Sequence, residues 1–534
     1  MSLRALTTLL FIFATIYSHS QLLQEYTLEV ATLNANGDGI PLWLQSLEEG
    51  RWHQKDASQR LAAFRTRYSY KPNANWLLSA AGEIDYNRSV ENLRLHRAAL
   101  YIKYRFLKLS IGRQTFAPIF DQPNNGTGSY LYGNNDRPIT RITAGIPKYT
   151  AFPGRLNRLE IRGGISHGKL DDQFESWSHR NVLLHEKYFY LRFNAGRIKP
   201  YAGLNHSALL GGYRDDGTKI PIDYWKSFFA KSSDKIGGGD ATNAAGAHMG
   251  LYDFGFYIHN RAGFFQIYYQ APFADNSGMN LFVRNKDQIA GISWNPTKNR
   301  FLTNLTVEWI NTTHQSGNGM PDAIVTLSDN STQTIIAYQL NDPTFRENLM
   351  TSLGVENPET YTKEMVSQYL EDNFNYGNKF GGRDGYMSNG TYPAGWTNEG
   401  YIMGSPLNLT QYQLSHINNA TAEGNSGDML IINDRYKAIH TGASGILNTR
   451  ISWRMKITIS RNYGSYYQEY PGRYTWQKTP NYFFENGINQ LYTQIGFLWQ
   501  PKNIKYLTLS ADAGYDYGEI LKSYGVRIGL HLNY

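Results

Sequence analysis

Hydrophobic and polar residues alternate strictly over residues 524–534. One row is apolar and consists of Tyr524, Val526, Ile528, Leu530, Leu532 and Tyr534, and the other row consists of Gly525, Arg527, Gly529, His531 and Asn533. Successive side chains of a β-strand point to opposite faces, so this period of two predicts a strand whose faces meet different surroundings. The apolar face suits either the opposing sheet of a soluble sandwich or membrane lipid. The local pattern leaves both open.

The same alternation recurs in other parts of the chain. It is clear in residues 158–166, 301–310, 451–460, 491–500 and 506–517. In "ISWRMKITIS", for example, every second residue is apolar and the intervening row carries Arg454 and Lys456. Pointing an Arg or Lys at the middle of a bilayer costs about 2–4 kcal/mol. If these strands cross a membrane, each therefore has one permitted orientation.

The lengths of the connections between these strands favour a membrane barrel. Such barrels have short periplasmic turns and longer outer loops. Counting back from a periplasmic C-terminus places 517–523, 462–489 and 405–435 outside, and 500–505 and 447–449 inside. Both long connections fall on the outer side, which a soluble sandwich has no reason to produce. We therefore predict an all-β fold, a transmembrane antiparallel barrel.

A helical pattern interrupts the strands in the middle of the chain. Asp342 is a suitable N-cap, Pro343 fits the first helical position, and Gly354 fits the position after the helix end. Helical spacing continues beyond this point, so we predict a short helical insertion near residues 342–376. Residues 222–231 predict a further short helix in a loop.

The N-terminus has the three parts of a secretory signal peptide. Arg4 is followed by an apolar run over residues 5–17, and small residues precede Gln21. A membrane anchor is the less favoured alternative, because a spanning helix needs about 20 apolar residues. We predict cleavage between Ser20 and Gln21, which removes residues 1–20 and leaves residues 21–534 as a single barrel domain.

Composition is consistent with an exported barrel. The chain has 40 Tyr, 25 Phe and 11 Trp, the residues that form aromatic girdles at membrane interfaces. It has no cysteine, so disulfides do not contribute to its stability. The formal net charge is +8, which suits an acidic partner such as an anionic glycan or lipid headgroup. The basic residues form no cluster of the kind that binds nucleic acid.

Motifs for catalysis or metal binding are incomplete. "GISHG", residues 164–168, matches the spacing of a nucleophile elbow, but no helical pattern follows Ser166, and the elbow requires a strand-to-helix turn. "NANGDG" resembles the start of a calcium loop, but Asn34 and Gln45 stand where Asp and Glu are needed. The histidines lack the spacing of a zinc helix. We predict no catalytic residue, no cofactor and no metal.

One aromatic and basic stretch, "RNYGSYYQEYPGRYTWQK" at residues 461–478, lies in a loop assigned to the outside. Aromatic rings stack on sugars, and Arg or Lys pairs with the carboxylates of acidic glycans. An aromatic girdle at the membrane interface gives the same composition, so both interpretations remain open. The candidate glycan-contacting residues are Tyr466, Tyr467, Arg473, Tyr474 and Trp476.

Ten ordered sequence blocks carry a family resemblance. They include "IGRQTF", "NDRPITRITAGIPKYTAFP", "NAAGAHMGLYDFGF", "YYQAPFADNSGM", "GGRDGYMSNGTYPAGW" and "SRNYGSYY". In these blocks the chain resembles the Wzi-like capsule assembly family. The resemblance implies an outer-membrane barrel of roughly 16–18 strands, within the usual range for bacterial barrels. It also implies binding of capsular polysaccharide and support of capsule assembly or attachment at the cell surface, without catalysis.

These observations predict a location and a set of partners. The location is the outer membrane of a Gram-negative cell, and the partners are capsular or other acidic surface polysaccharide, outer-membrane lipid and, during biogenesis, the barrel-assembly machinery, which recognises a closing strand with a terminal aromatic residue. Lipid should contact the closing strand at Val526, Ile528, Leu530, Leu532 and Tyr534. A passive porin for small solutes and, less favoured, an outer-membrane hydrolase are the alternatives.

Overall fold

The structure is a computed structural model that describes residues 22–89, 92–116, 125–236, 244–274, 278–279, 285–317, 319, 321–377, 382–417, 429–470 and 478–534. The predicted signal peptide and its cleavage site lie outside these residues. Eighteen long strands form one sheet. They are β1 Leu22–Gly37, β2 Ser58–Asn73, β3 Trp76–Asn87, β4 Asn92–Tyr104, β5 Leu107–Gln114, β6 Ile139–Ala151, β7 Leu159–Phe174, β8 Trp177–Phe193, β9 Ile198–Leu210, β10 Ala247–Asn260, β11 Gly263–Phe273, β12 Gln288–Pro296, β13 Asn304–Asn311, β14 Tyr436–Asn448, β15 Ile451–Asn462, β16 Ile488–Trp499, β17 Leu507–Gly518 and β18 Ser523–Asn533.

The sheet closes into a barrel. Each strand pairs antiparallel with the next one along the chain, and β18 pairs with β1. In that last pair Thr27 lies opposite Asn533, and Gly37 lies opposite Ser523. Closure removes the exposed sheet edges that would otherwise leave backbone groups unpaired in lipid. The predicted fold class is confirmed, with a strand number at the upper end of the predicted range.

All the long connections lie at one end of the barrel. The end that holds Leu22 and Tyr534 is called the inner end, and its turns contain no more than seven residues: 74–75, 105–106, 152–158, 194–197, 261–262, 297–303, 449–450 and 500–506. The long loops all lie at the opposite, outer end: 38–57, 115–138, 211–246, 274–287, 312–435 and 463–487. This end also has short turns such as 175–176 and 519–522. The alternation of inner and outer connections predicted from the C-terminal third is therefore confirmed.

The closing strand presents two different faces. Ile528 is 55% exposed on the outer wall, whereas its neighbour Arg527 is 6% exposed and points into the lumen. Val526 and Tyr534 are also exposed, and Leu530 and Leu532 are half-buried in the same outward row. The five predicted lipid-facing residues thus share the outer face, and their contact with lipid stays a prediction.

Short helices lie in the long loops. They are α1 Leu42–Gln45, α2 Tyr224–Phe228, α3 Pro343–Ser352, α4 Lys363–Phe374 and α5 Tyr466–Glu469. The Asp342 carboxylate accepts a hydrogen bond from the Thr344 N–H at the start of α3, and Gly354 adopts a φ of +75° after its end. Both helix signals and the short helix within 222–231 are confirmed. Among the described residues, no helix is long and apolar enough to cross a membrane.

The helical insertion has its own apolar core at the outer end of the barrel. Helices α3 and α4 pack with a small hairpin formed by residues 323–326 and 332–335. The fully buried side chains of this core are Val325, Ile335, Leu340, Leu349, Met350, Val366 and Leu370. Because this subdomain belongs to loop 312–435, it lies on the side of the barrel opposite the chain termini.

Candidate functional site

The first long loop, 38–57, enters the lumen and packs against the barrel wall. Trp43 of α1 is buried, and its indole Nε1–H donates to the Thr458 hydroxyl on β15 at 3.1 Å. The guanidinium of Arg527 donates to the Leu44 carbonyl at 2.9 Å. The lumen-facing row of the closing strand therefore contacts the protein's own loop.

An ion-pair network fixes the same loop to β3 and β4. Arg51 pairs with Glu49 at 3.0 Å and with Glu83 at 2.7 Å, and Arg97 pairs with Glu49 at 2.8 Å. Burial alone would raise the pKa of the Glu49 carboxyl, but the His96 hydrogen bond and the charges of Arg51 and Arg97 hold that pKa well below its ordinary value of 4.5. Glu49, Glu83 and His96 lie close enough together to hold a cation. The carboxylate oxygens of Glu49 and Glu83 already accept hydrogen bonds from arginines. The network is therefore better explained as a structural contact between loop and wall than as a cation site.

A second segment, residues 382–407, fills the lumen nearer the outer end. The Trp396 indole donates to the Leu131 carbonyl at 2.9 Å, and the Tyr401 hydroxyl donates to the Trp52 carbonyl at 3.0 Å. Two cavities beside this segment have volumes of about 10 Å³ each, room for about one water molecule. In the part of the chain that the structure describes, three loops thus pack together as a plug.

A buried carboxylate joins two outer loops above this plug. Asp287 accepts hydrogen bonds from the Tyr386 hydroxyl at 2.6 Å and from the backbone N–H groups of His314 at 2.8 Å and Gln315 at 2.6 Å. Burial raises the pKa of Asp287, and these three donors partly offset that rise. Asp287 therefore ties loop 274–287 to two parts of loop 312–435, its beginning at His314 and Gln315 and the start of the plug segment at Tyr386.

Stacked aromatic and basic side chains lie at the outer end beside these loops. We call this group the aromatic–basic cluster, and it consists of Arg383, Arg435, Tyr466, Glu469, Tyr470 and Lys478. The Arg435 guanidinium lies 3.9 Å from the Tyr466 ring centroid, and that of Arg383 lies 3.5 Å from the Tyr470 centroid. Glu469 pairs with both Arg435 and Lys478 at 2.6 Å.

The cluster carries more positive than negative charge. Two cations, Arg435 and Lys478, pair with the single carboxylate of Glu469, and Arg383 over the Tyr470 ring adds a third positive charge. Burial would raise the pKa of Glu469, but Arg435 and Lys478 lower it, so the group stays ionised. The side chain of Lys478 is half exposed and Arg383 is partly exposed. The accessible cations can pair with carboxylates on a sugar chain, whereas the rings of Tyr466 and Tyr470 are 5% and 7% exposed and support the guanidinium groups.

The predicted glycan-contacting residues have different positions. Tyr466 is 5% exposed, its ring is covered by Arg435, and its hydroxyl donates to the His314 carbonyl at 3.3 Å. Tyr467 is half-buried against Gly385. Arg473, Tyr474 and Trp476 lie outside the described residues, so all five stay predictions as glycan contacts.

The structure adds residues to the site that the sequence prediction missed. Arg383 and Arg435 come from loop 312–435, far from Tyr466 in the chain. Tyr470 and Lys478 belong to the aromatic and basic stretch that the sequence analysis singled out. A signal for Arg383 was present in the block "GGRDGYMSNGTYPAGW", but nothing in that block shows which ring the guanidinium covers.

Ser166 lies in a regular strand. It is within β7, fully buried on the lumen side, and its hydroxyl accepts a hydrogen bond from Thr143 at 3.0 Å. Glu186 is its partner across the β7–β8 ladder. This position differs from the exposed strand-to-helix turn of a nucleophile elbow.

Comparison with known proteins gives a structural match but no sequence match. No family model matches the chain, and no curated protein matches it. Among solved structures, it is similar to Wzi, described as an outer-membrane protein involved in group 1 capsule assembly in Escherichia coli and a carbohydrate-binding β-barrel. That similarity has a TM-score of 0.50 and 12% identity, and it covers 95% of this chain and 84% of that one.

Other outer-membrane barrels are similar to a lower degree. OccK5 (OpdH) of Pseudomonas aeruginosa has a TM-score of 0.44 and 7% identity, covering 96% of this chain and 98% of that one. An OmpT loop-deletion mutant from Vibrio cholerae has a TM-score of 0.37 and 8% identity, covering 96% and 100%. The similarity to Wzi shows the fold of this chain, an outer-membrane β-barrel, and the barrel of this chain is closed by 18 strands.

Proposed function

We propose that this chain, a barrel with the fold of Wzi, is a non-enzymatic outer-membrane protein that binds acidic surface polysaccharide. In this role it supports the assembly or attachment of a capsule at the cell surface. The observation that carries the proposal is the aromatic–basic cluster at the outer end, above a lumen filled by loops. Wzi is described as a carbohydrate-binding barrel in capsule assembly, and the shared fold supports the same class of partner.

The filled lumen favours binding over transport of solutes. A porin needs a water-filled channel, whereas here Trp43, Trp396 and Tyr401 pack in the lumen and make hydrogen bonds to wall or loop groups. The ion-pair network on Glu49 fixes the first plug loop to the wall. A rigid plug also supplies a firm base for the outer loops, and a preorganised surface loses less entropy when it binds a ligand.

The chemistry of the cluster suits a polysaccharide that carries carboxylates. Arg383 and Lys478 are the more accessible cations of the cluster. Arg383 lies over the ring of Tyr470, and Lys478 pairs with Glu469. A hydrogen bond to a charged group contributes about 1.5–3 kcal/mol, so two such contacts on a repeating polymer give useful affinity through multivalency. Lipid around the barrel and the barrel-assembly machinery complete the proposed partners.

Calorimetry on purified protein tests the proposal. The ligand is the surface polysaccharide extracted from the producing cells, and dextran serves as a neutral comparison. We expect the extracted polysaccharide to bind and dextran to bind far more weakly. Lys478→Gln and Arg383→Gln should each weaken binding about tenfold, the loss of one charged contact.

The matched control for this experiment is Lys502→Gln. Lys502 is exposed on the inner turn 500–506, at the opposite end of the barrel. Its replacement removes the same charge and should leave binding unchanged. Absence of binding by the unaltered protein, or equal losses in all three variants, contradicts the proposed function.

A further inference from the structure

Polar residues interrupt the apolar outer wall on strands β7–β10. On β8, Phe189 is 52% exposed on the outer wall. The next residues of that outward row toward the outer end are Lys187 and His185, and His185 is 0% exposed. The outward rows of the neighbouring strands carry His167 on β7, His206 on β9 and His248 on β10. Something other than lipid therefore covers this part of the wall.

The covering element is a segment of loop 211–246. Residues 222–231, which we call the strap, include α2 and lie across the outside of β7 and β8. The Phe228 ring centroid is 5.1 Å from that of His185, and the Tyr224 hydroxyl is 2.9 Å from His167 Nε2. The Lys187 ammonium donates to the Phe228 carbonyl.

The remaining histidines are paired within the same covered region. His248 Nε2 lies 2.9 Å from the Ala245 carbonyl, so it must carry the proton and donate. The other ring nitrogen of His248 is then an acceptor, and His206 Nε2 donates to it at 3.0 Å. These contacts give partners to both ring nitrogens of His248 and to His206 Nε2, which would otherwise face hydrocarbon at a cost of several kcal/mol each. Among the described residues, His206 Nδ1 and His185 Nε2 have no hydrogen-bond partner.

The height of the strap follows from strand geometry. A strand rises about 3.3 Å per residue and tilts by about 40°, so each residue gains about 2.5 Å along the barrel axis. Phe193, exposed at the inner end of β8, lies eight residues from His185. His185 is therefore about 20 Å above the inner edge of an apolar band that is about 25 Å tall. The strap lies at the outer-leaflet edge of that band.

The free face of the strap has the composition of a membrane-interface segment. Trp225 is 67% exposed and Phe229 is 62% exposed, and both pack beside the ring of Phe228, which covers His185. Lys226 and Lys231 are exposed on the same segment. Aromatic side chains favour the headgroup boundary, and each Lys near an anionic surface contributes about 1 kcal/mol.

We propose that the strap is a lipid-binding anchor. Trp225 and Phe229 insert at the boundary between acyl chains and headgroups of the outer leaflet, and Lys226 and Lys231 bind the anionic phosphates of those headgroups. This anchor fixes the rotation and depth of the barrel at the side that carries loop 211–246. The inference rests on the membrane location in the proposed function, and it does not depend on polysaccharide binding.

Site-directed fluorescence tests the insertion directly, because the chain contains no native cysteine to compete for the label. Phe229→Cys, labelled with bimane, is reconstituted in vesicles whose phosphatidylcholine carries brominated acyl chains. We expect strong quenching, comparable with that of a labelled Ile528→Cys on the exposed outer face. Labelled Thr218→Cys, in an exposed stretch of the same loop, should show little quenching. Quenching at position 229 no greater than at position 218 overturns the proposal.

The headgroup contact has its own test in the same vesicles. Adding phosphatidylglycerol should increase the quenching at position 229, and Lys226→Glu with Lys231→Glu should abolish that increase. Lys502→Glu on the inner turn is the charge-matched control and should leave it in place. An increase that survives the double replacement overturns the assignment of these lysines. Heat-modifiable gel migration confirms that each variant is folded, and no polysaccharide is present, so failure here is separate from failure of the proposed function.

Discussion

The backbone N–H of Tyr534 donates to the carbonyl of Tyr26 at 2.9 Å, and the N–H of Tyr26 donates back to the carbonyl of Tyr534 at the same distance. This reciprocal pair extends the β1–β18 ladder to the last residue of the sequence. The closing strand is therefore hydrogen-bonded along its whole length, and its outward row depends on that register. A shift by one residue would turn Arg527 toward the outer wall.

A charge on the outward row of β18 should block assembly. Ile528 is exposed near the middle of this row, and Lys at the bilayer midplane costs about 2–4 kcal/mol. We expect Ile528→Lys to reduce the amount of folded barrel in outer-membrane fractions, measured by heat-modifiable migration. Asn533→Lys adds the same charge at the inner rim and should assemble normally. Equal amounts of folded protein from the two variants would show that Ile528 does not face lipid.

The ion-pair network on Glu49 should give the plug an acid-sensitive contribution to stability. The pKa of Glu49 is lowered on folding, so its stabilisation is complete above the ordinary value of 4.5 and is lost as the pH falls through the lowered value. Glu49→Gln removes the close carboxylate partner of Arg97 and one of the two partners of Arg51, which we expect to cost about 3 kcal/mol at neutral pH. Thermal unfolding from pH 7 to pH 3 should show the difference from the unaltered protein shrinking in acid. The exposed Glu25→Gln is the control, and a difference independent of pH would contradict this role for Glu49.

The filled lumen predicts a very small ionic conductance in planar bilayers. Trp43→Ala removes a buried indole and its hydrogen bond to Thr458, and losing such a side chain typically costs about 3–5 kcal/mol. We expect this variant to show frequent openings, because the first plug loop loses its largest contact with the wall. Trp76→Ala changes an exposed residue at the inner rim and should show no increase in conductance. Large steady conductance from the unaltered protein would instead support the porin alternative.

The helical insertion should depend on the left-handed conformation of Gly354. Its φ is +75°, and a Cβ added there meets no atom within 4 Å, so the cost of Gly354→Ala comes from the backbone alone, about 1–2 kcal/mol. Gly390→Ala also adds a Cβ into open space, but its backbone φ is not in the left-handed region. Hydrogen exchange of α3 amides should accelerate in the first variant and stay unchanged in the second. Equal exchange in both would contradict the cap assignment.

Strand alternation and helix caps could be predicted from the sequence, because each depends only on residues close together in the chain. The alternation from Tyr524 to Tyr534 and the caps Asp342 and Gly354 depend on neighbours within a few residues, and the structure has them as predicted. The burial of Tyr466 was not predictable, because Arg435, which covers its ring, belongs to another loop. The strap was not predictable either. His185 interrupts the apolar outward row of β8 because a segment of loop 211–246 covers it, and that contact joins residues far apart in the sequence.

The proposed role in holding surface polysaccharide on the cell is tested by the amount of polysaccharide that stays attached to cells. In cells that lack this protein, the surface polysaccharide is measured in the cell-bound fraction and in the medium, with and without a plasmid that restores the gene. We expect polysaccharide to move from the cell-bound fraction to the medium in the deletion strain and to return to the cells on restoration. If the deletion strain keeps the same share of its polysaccharide in the cell-bound fraction, this protein has no role in attaching surface polysaccharide.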